Sequence, residues 1–286
     1  NYQLDLFLDC LFLRRGVSMV YNAKDCSIRI DDTEMDYISF GSGDKNLVII
    51  PGLGDGLRTV KGSAVLFSLR YRVFNKYYKV HVFSRKNKLE QGASTREMAT
   101  DLARVMKKLG LQTSYVLGVS QGGMIAQYLA IDHPELVEKL VLAVTQCQPN
   151  ETSNRVISNW LSLAKEEDYR QIFIDTAEKT YTEKSLKKHR PFYSIISKLT
   201  NPKSLDRFTI QANASLTHDA SDAVDKIQCP TLIIGGELDQ IVGSQSSHDL
   251  AERIPHSQLK LYSGLGHGVY EEAKDFNDQI LQFYNN

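Results

Sequence analysis

No stretch of this chain reaches the run of about eighteen uncharged apolar residues that a membrane-spanning helix needs, so stable membrane insertion is not expected. Net charge is also absent. The 34 basic and 34 acidic side chains cancel, which gives no footing for a polyanion and argues against a nucleic-acid partner. Cysteine is sparse: Cys10, Cys26, Cys147 and Cys229 are far apart and form no C-x-x-C, so neither a zinc-ligand set nor a redox motif can be read. Cys147 and Cys229 lie beside apolar runs and read as reduced core or near-core residues, which points to a reducing compartment. The greasy run from Leu4 to Leu13 is broken by Asp5 and Asp9 and followed by Arg14 and Arg15. A signal peptide has the opposite charge order and a small-residue cleavage site, so a cytoplasmic location is the expectation. Repeats and low-complexity tracts are missing as well.

What is present suits one large α/β domain carrying an insertion: 286 residues, of which 42% are apolar. The first twenty residues read either as an amphipathic helix packed on the body or as a partner contact, and 1–26 is taken as an N-terminal extension. Ser27–Ile30 and Met35–Phe40 alternate like half-exposed antiparallel strands. Leu47–Ile50 is an unbroken apolar run, as expected of a strand buried on both faces of a parallel sheet. Further strands are expected at Lys79–Phe83, Tyr115–Val119, Leu140–Val144, Thr231–Ile234 and Leu259–Tyr262. Helices are expected over Ser94–Leu109, with Ser94 or Thr95 as its cap and Glu97 near its start, over Gly122–Ile131, and over Ala273–Phe283. Strands alternating with helices imply right-handed crossovers and a mostly parallel sheet. Between 149 and 215 the alternation stops and a polar, helical pattern takes over, so this stretch reads as an insertion over one end of a core formed by 27–148 and 216–286.

The most informative feature is Gly118-Val119-Ser120-Gln121-Gly122, placed where a strand meets a helix. A serine there, with glycine two residues to either side, has the form of a nucleophile elbow. The turn leaves no room for a Cβ at the flanking positions, and the strained backbone lifts the serine hydroxyl out of the sheet. A serine hydroxyl is a poor nucleophile without a base, and the base needs a partner to fix its tautomer. Asp239 follows the Thr231–Ile234 strand and His267 follows the last strand, inside Gly266-His267-Gly268. In a parallel sheet these strand ends share one edge, so Ser120, Asp239 and His267 can converge. Glu237, two residues before Asp239, is the alternative acid. Stabilising an oxyanion needs two aimed donors, for which the backbone N–H groups of Gln121 and of Leu53, in the glycine-rich loop after Ile50, are the candidates.

These motifs resemble the α/β-hydrolase fold, in its capped form that includes esterases, enol-lactonases and carbon–carbon bond hydrolases. The likeness runs from about Ser27 to the end of the chain. It rests on 118–122, on the helix pattern from Gly122 to Leu142, on the acid loop 235–242 and on Gly-His-Gly at 266–268. The chain departs from the family at three points. Pro51-Gly52 stands for the usual His-Gly, Gln91-Gly92-Ala93-Ser94 for Gly-x-Gly-x-Ser, and Val242-Gly243 for Val-Pro. The resemblance implies a mostly parallel eight-stranded sheet flanked by helices, with 149–215 as a helical cap. It also implies a serine hydrolase of small carboxylic esters or lactones that needs no metal or organic cofactor.

The alternatives on the same scaffold are an acyltransferase, a thioesterase, a carbon–carbon bond hydrolase or a non-catalytic ligand-binding member. Gly52, Trp160, Phe192 and His218 are the candidate substrate contacts. The stretch from Asn150 to Ser215 carries eleven Lys/Arg against eight Asp/Glu, read mainly as a solvated outer face. The sequence leaves room for a homodimer.

Overall fold

The computed structural model describes residues 21–286. The segment 1–20, with Cys10 and the helix or partner contact expected there, lies outside the described residues. An eight-stranded sheet forms the frame, in the order β1-β2-β4-β3-β5-β6-β7-β8. β1 (Lys24–Ile30) and β2 (Thr33–Phe40) pair antiparallel, and β2 joins β4 (Tyr78–Lys86) antiparallel. The pairings from β4 onward are parallel, through β3 (Lys45–Ile50), β5 (Ser114–Val119), β6 (Val137–Ala143), β7 (Thr231–Gly236) and β8 (Ser257–Tyr262).

The central strands are apolar along their whole length because both faces are covered, and their alternation sorts residues between two cores. Val48, Ile50, Val116, Leu140, Leu142 and Ile233 enter one core, while Leu47, Ile49, Leu117, Val141, Leu232 and Ile234 enter the other. The first core is closed by α2 (Thr95–Lys108), α3 (Gln121–Asp132) and α9 (Gln245–Arg253); the second by α1 (Ala64–Arg70) and α11 (Phe276–Asn285). Of the two expected caps, Ser94 starts α2, in a capping box where it accepts from the Glu97 N–H while the Glu97 carboxylate accepts from the Ser94 N–H. Its Met98, Leu102 and Val105 face the core, with Leu109 partly buried against it. Cys147 is buried, Cys229 half-buried, and both are free thiols. Among the described residues no helix is long and apolar enough to cross a membrane.

Between β6 and β7 lie α4 (Glu151–Lys165), α5 (Tyr169–Thr180), α6 (Glu183–His189), α7 (Tyr193–Leu199) and α8 (Asp206–Leu216). Val156, Ile157, Trp160, Ile172, Phe208 and Ala212 of this insertion form an apolar cluster with Ile241 and Val242, against which Leu53 and Leu57 pack. The insertion therefore sits on the two loops that bracket Ser120. A four-residue helix, α10 (Val269–Glu272), follows the last strand.

Candidate active site

Ser120 is the residue between β5 and α3, with φ 54° and ψ −121°, a left-handed conformation that a non-glycine residue adopts only when its surroundings enforce it. The glycines around it enforce it. A Cβ at Gly122 would lie 2.0 Å from the Ile50 carbonyl oxygen, and one at Gly118 would lie 2.6 Å from the Gly122 oxygen. The tight turn brings β3, β5 and α3 into backbone contact and raises the Ser120 hydroxyl.

His267 reaches that hydroxyl. Its Nε2 is 3.0 Å from Ser120 Oγ, and its Nδ1 is 2.8 Å from Asp239 Oδ2. Asp239 is 8% and His267 4% exposed, so the pair interacts in a medium poorer in water than the surface. The other Asp239 oxygen, Oδ1, accepts from the backbone N–H groups of Ile241 (2.8 Å) and Val242 (3.0 Å), which fixes the carboxylate's rotation. Glu237, the alternative acid, is exposed on the same loop. The acid and histidine loops touch through glycines: a Cβ at Gly236 would fall 2.3 Å from the Gly266 oxygen. Each side chain of this relay thus stands where a strand ends, on the shared edge that the alternation implied.

The loop after β3 completes the setting. Gly52 runs beside Ser120, so that a Cβ there would lie 3.2 Å from the Ser120 Cβ. Leu53 begins a short 3-10 turn, Leu53–Gly56, and Gln121 begins α3. Among the described residues no hydrogen bond uses the N–H of either Leu53 or Gln121.

The insertion is tied to the histidine loop by polar contacts. The Gly268 N–H donates to the Thr180 carbonyl at 2.7 Å, and Thr182 donates to Glu272 through its hydroxyl (2.7 Å) and its N–H (3.0 Å). Ser185 also donates to Glu272, and Tyr181 to Glu271.

The other candidate residues distribute differently. Trp160 is buried in the apolar cluster that reaches Leu53, with its indole N–H donating to Asp175 at 2.7 Å. Phe192 is 47% exposed, on the outside of the insertion. His218 is buried in the body, with its Nδ1 2.9 Å from the Thr95 hydroxyl and its ring edge-on to Tyr128. Burial pushes it down to about 4, so it is a neutral core histidine. Sequence reasoning missed the buried Asp55, Arg85 and Gln211 and the half-buried Arg207, a hydrogen-bonded polar cluster that reaches Gln121 through Arg85 and Gln211. The Asp in Gly54-Asp55-Gly56 and the arginine after the apolar run of β4 were the available signals.

The sequence profile of the alpha/beta hydrolase fold family matches residues 45–274. Over 88% of this chain and 92% of its own length, a 2-hydroxy-6-oxononadienedioate/2-hydroxy-6-oxononatrienedioate hydrolase of Pseudomonas putida is 27% identical. A putative carbamate hydrolase RutD of Caulobacter sp. is 26% identical over 65% of this chain and 70% of its own. Among solved structures, the enol-lactonase from Burkholderia xenovorans superposes with a TM-score of 0.78 at 17% identity, covering 91% of this chain and 100% of that one. With the profile spanning most of the sequence and the sheet order, elbow and strand-end loops in place, this chain belongs to the alpha/beta hydrolase fold family.

Proposed function

We propose that this protein is a serine hydrolase of small carboxylic esters or lactones, working through an acyl-enzyme on Ser120. The observation that carries this reading is the relay from Asp239 through His267 to the Ser120 hydroxyl, at 2.8 and 3.0 Å. His267 removes the Ser120 proton as Oγ attacks the substrate carbonyl. Asp239 holds the imidazole with its proton on Nδ1 and stabilises the imidazolium that forms. The N–H groups of Leu53 and Gln121 take the negative charge of the tetrahedral intermediate. Its collapse expels the alkoxide, which receives the proton from His267. Water then attacks the acyl-enzyme with His267 again as base, releasing the acid and restoring Ser120. These steps ask for no metal or organic cofactor.

The insertion is the proposed lid, and its seam favours apolar acyl groups. Trp160, Phe208, Ile241 and Val242 cluster there with Leu53 and Leu57. Arg207, the insertion's cation at this seam, is already paired with Asp55, which disfavours a substrate recognised by a second carboxylate.

The test is turnover of p-nitrophenyl acetate and butyrate by wild type and Ser120→Ala, with fluorophosphonate labelling of the wild type. The variant is expected to lose activity by about 10⁴-fold or more. Retained turnover in Ser120→Ala, or a wild type inert to the probe, overturns the reading. An excess of ester product when an alcohol or thiol is added would redirect it to acyl transfer.

A further inference from the structure

Under the two proposed oxyanion donors lies a buried cluster of charge that the chemical steps above leave unused. Arg85 at the end of β4, Asp55 in the 53–56 turn, Gln121 after the nucleophile and Gln211 of α8 are 3%, 4%, 1% and 0% exposed. Arg85 Nη2 donates to the Gln121 side-chain Oε1 at 3.1 Å. The other end of that carboxamide donates to the Gln211 carbonyl (2.6 Å) and the Ser215 hydroxyl (2.8 Å). Gln121 is thereby held from below by the body and from the side by the insertion.

The same cluster holds the loop of the second donor. Asp55 Oδ2 accepts from the Arg85 backbone N–H (3.2 Å), from Arg207 Nη2 (2.5 Å) and from Gln211 Nε2 (3.2 Å). Arg207 also donates to the carbonyls of Arg85 (3.0 Å) and Asp55. α8 seats closely here, since a Cβ at Gly56 would lie 2.7 Å from the Phe208 Cα.

This is an unfavourable arrangement for folding alone. Two guanidinium groups face one carboxylate, and burial with Arg207 nearby pushes Arg85 down to about 10 even though Asp55 opposes the shift. Arg85 Nε, Asp55 Oδ1 and Gln211 Oε1 have no hydrogen-bond partner within the described residues. Buried charge without full compensation lowers stability. Such local conflict is expected where function rather than folding sets the side chains.

We propose that Arg85 is a positioning residue of the oxyanion hole, fixing the backbone at Gln121 through that residue's carboxamide and at Leu53 through Asp55. Arg207 and Gln211 make the setting depend on the seated insertion. The inference rests on the acyl-transfer reading of Ser120. Donors already aimed at the developing charge need no reorganisation during the reaction, so loosening them raises the barrier without loosening substrate.

The experiment compares wild type, Arg85→Met, Gln121→Ala and the double variant. Arg85→Met leaves Asp55 and Arg207 as a neutral pair, and Gln121→Ala keeps the backbone donor. The measurements are kcat and KM for p-nitrophenyl butyrate, and the affinity of a trifluoromethyl ketone that forms a tetrahedral adduct on serine. Each single variant is expected to lose about 10–100-fold in kcat with KM within about threefold, and to bind the ketone proportionally less tightly. The double variant should be no worse than the poorer single variant, because the two side chains act as one unit.

Wild-type kcat and ketone affinity in Arg85→Met overturn the proposal, as do fully additive losses or a loss confined to KM. If Arg85→Met does not fold, Gln121→Ala decides alone, and unchanged kcat there overturns it. Fluorophosphonate labelling of the wild type separates the two levels. An unlabelled wild type defeats the acyl-enzyme reading itself, whereas a labelled wild type with a fully active Arg85→Met defeats only the positioning role.

Discussion

Around Ser120 it is backbone that decides where things stand, whereas in the helices above it side chains decide. The elbow, the acid loop and the histidine loop are strand ends closed over glycines at 118, 122, 236 and 266, where a single added carbon meets a neighbouring backbone atom at 3.0 Å or less. The insertion is held by apolar clusters and by hydroxyls, cations and an indole N–H on carboxylates: Thr182 on Glu272, Arg190 on Glu178 and Glu183, Trp160 on Asp175. Backbone geometry at crowded strand ends admits almost no substitution. Side-chain contacts of the second kind can be exchanged for others of similar energy. One scaffold can thus keep its strand-end rim fixed while the helices above it change.

The sharpest way to break this comparison is at Asp239. Its Oδ1 is held by the Ile241 and Val242 N–H groups, so Asp239→Asn must keep its oxygen there and turn its NH₂ toward His267 Nδ1. Nδ1 then has to accept, the imidazole proton moves to Nε2, and the base facing Ser120 is lost. The expected fall in kcat is about 10⁴-fold with an unchanged melting profile. A variant within tenfold of wild type would mean that the rim tolerates a changed donor pattern at its acid.

Gly122→Ala probes the same rim through packing. The new methyl would sit 2.0 Å from the Ile50 oxygen and 2.7 Å from the Pro51 oxygen, both of them backbone atoms. A loss of more than about 4 kcal/mol in urea unfolding is expected, a large share of the roughly 5–15 kcal/mol that holds a typical domain folded. Wild-type stability with wild-type labelling of Ser120 would show that β3 and α3 can separate.

How much of this was legible follows the same division. Glycines, short apolar runs and the residues just beyond them are local signals, so Ser120, Asp239, His267 and all eight strands were readable. α1 and α9 were not, being seven and nine residues long with too few turns to display a period. The closing helix was expected from Ala273 and starts at Phe276, because Ala273 ends the separate turn of α10. In 149–215 the break in alternation was visible, but which of its apolar residues face inward was not. Phe192 is on the outside and His218 is buried in the body, since an aromatic in a polar helical stretch, or a histidine just after it, looks alike whichever side it packs on. Arg85 escaped because β4 runs to Lys86, three residues past the expected end at Phe83, and an arginine after an apolar run reads as solvated.

A pH titration sharpens the comparison further. His81 and His218, both in the body, are held at about 4, chiefly by burial, with Lys79 adding to the effect at His81 and Asp219 opposing it at His218. An unfolded histidine titrates near 6.5, so between those values the unfolded chain binds more protons. Stability is complete above pH about 6.5 and is lost as pH falls through 4, by roughly 3 kcal/mol per histidine. The melting temperature should drop from pH 7 to pH 5, with a shallower slope in His218→Gln. Trp160 is the chain's single tryptophan and lies in the insertion. Its fluorescence therefore shows whether the insertion melts with the body, followed by far-UV circular dichroism, or ahead of it.

The smallest expected effect belongs to the insertion itself. Trp160 is 4% exposed, packs in the cluster with Ile157, Phe208 and Val242, and donates its indole N–H to Asp175. Trp160→Phe keeps most of the apolar bulk and deletes the donor, but Asp175 retains Lys179 as its partner and is not left a bare buried charge. The loss should be about 1–2 kcal/mol, the size of one hydrogen bond to a charged group plus a small packing defect. Circular dichroism melting reads that loss in a chain that no longer has a tryptophan. Because the residue belongs to the proposed lid and not to the relay, kcat for p-nitrophenyl butyrate should stay within about threefold while KM moves more. A kcat collapse comparable to that of Asp239→Asn would place the insertion inside the chemical step, and the division between a rim set by backbone and a lid set by side chains would no longer stand.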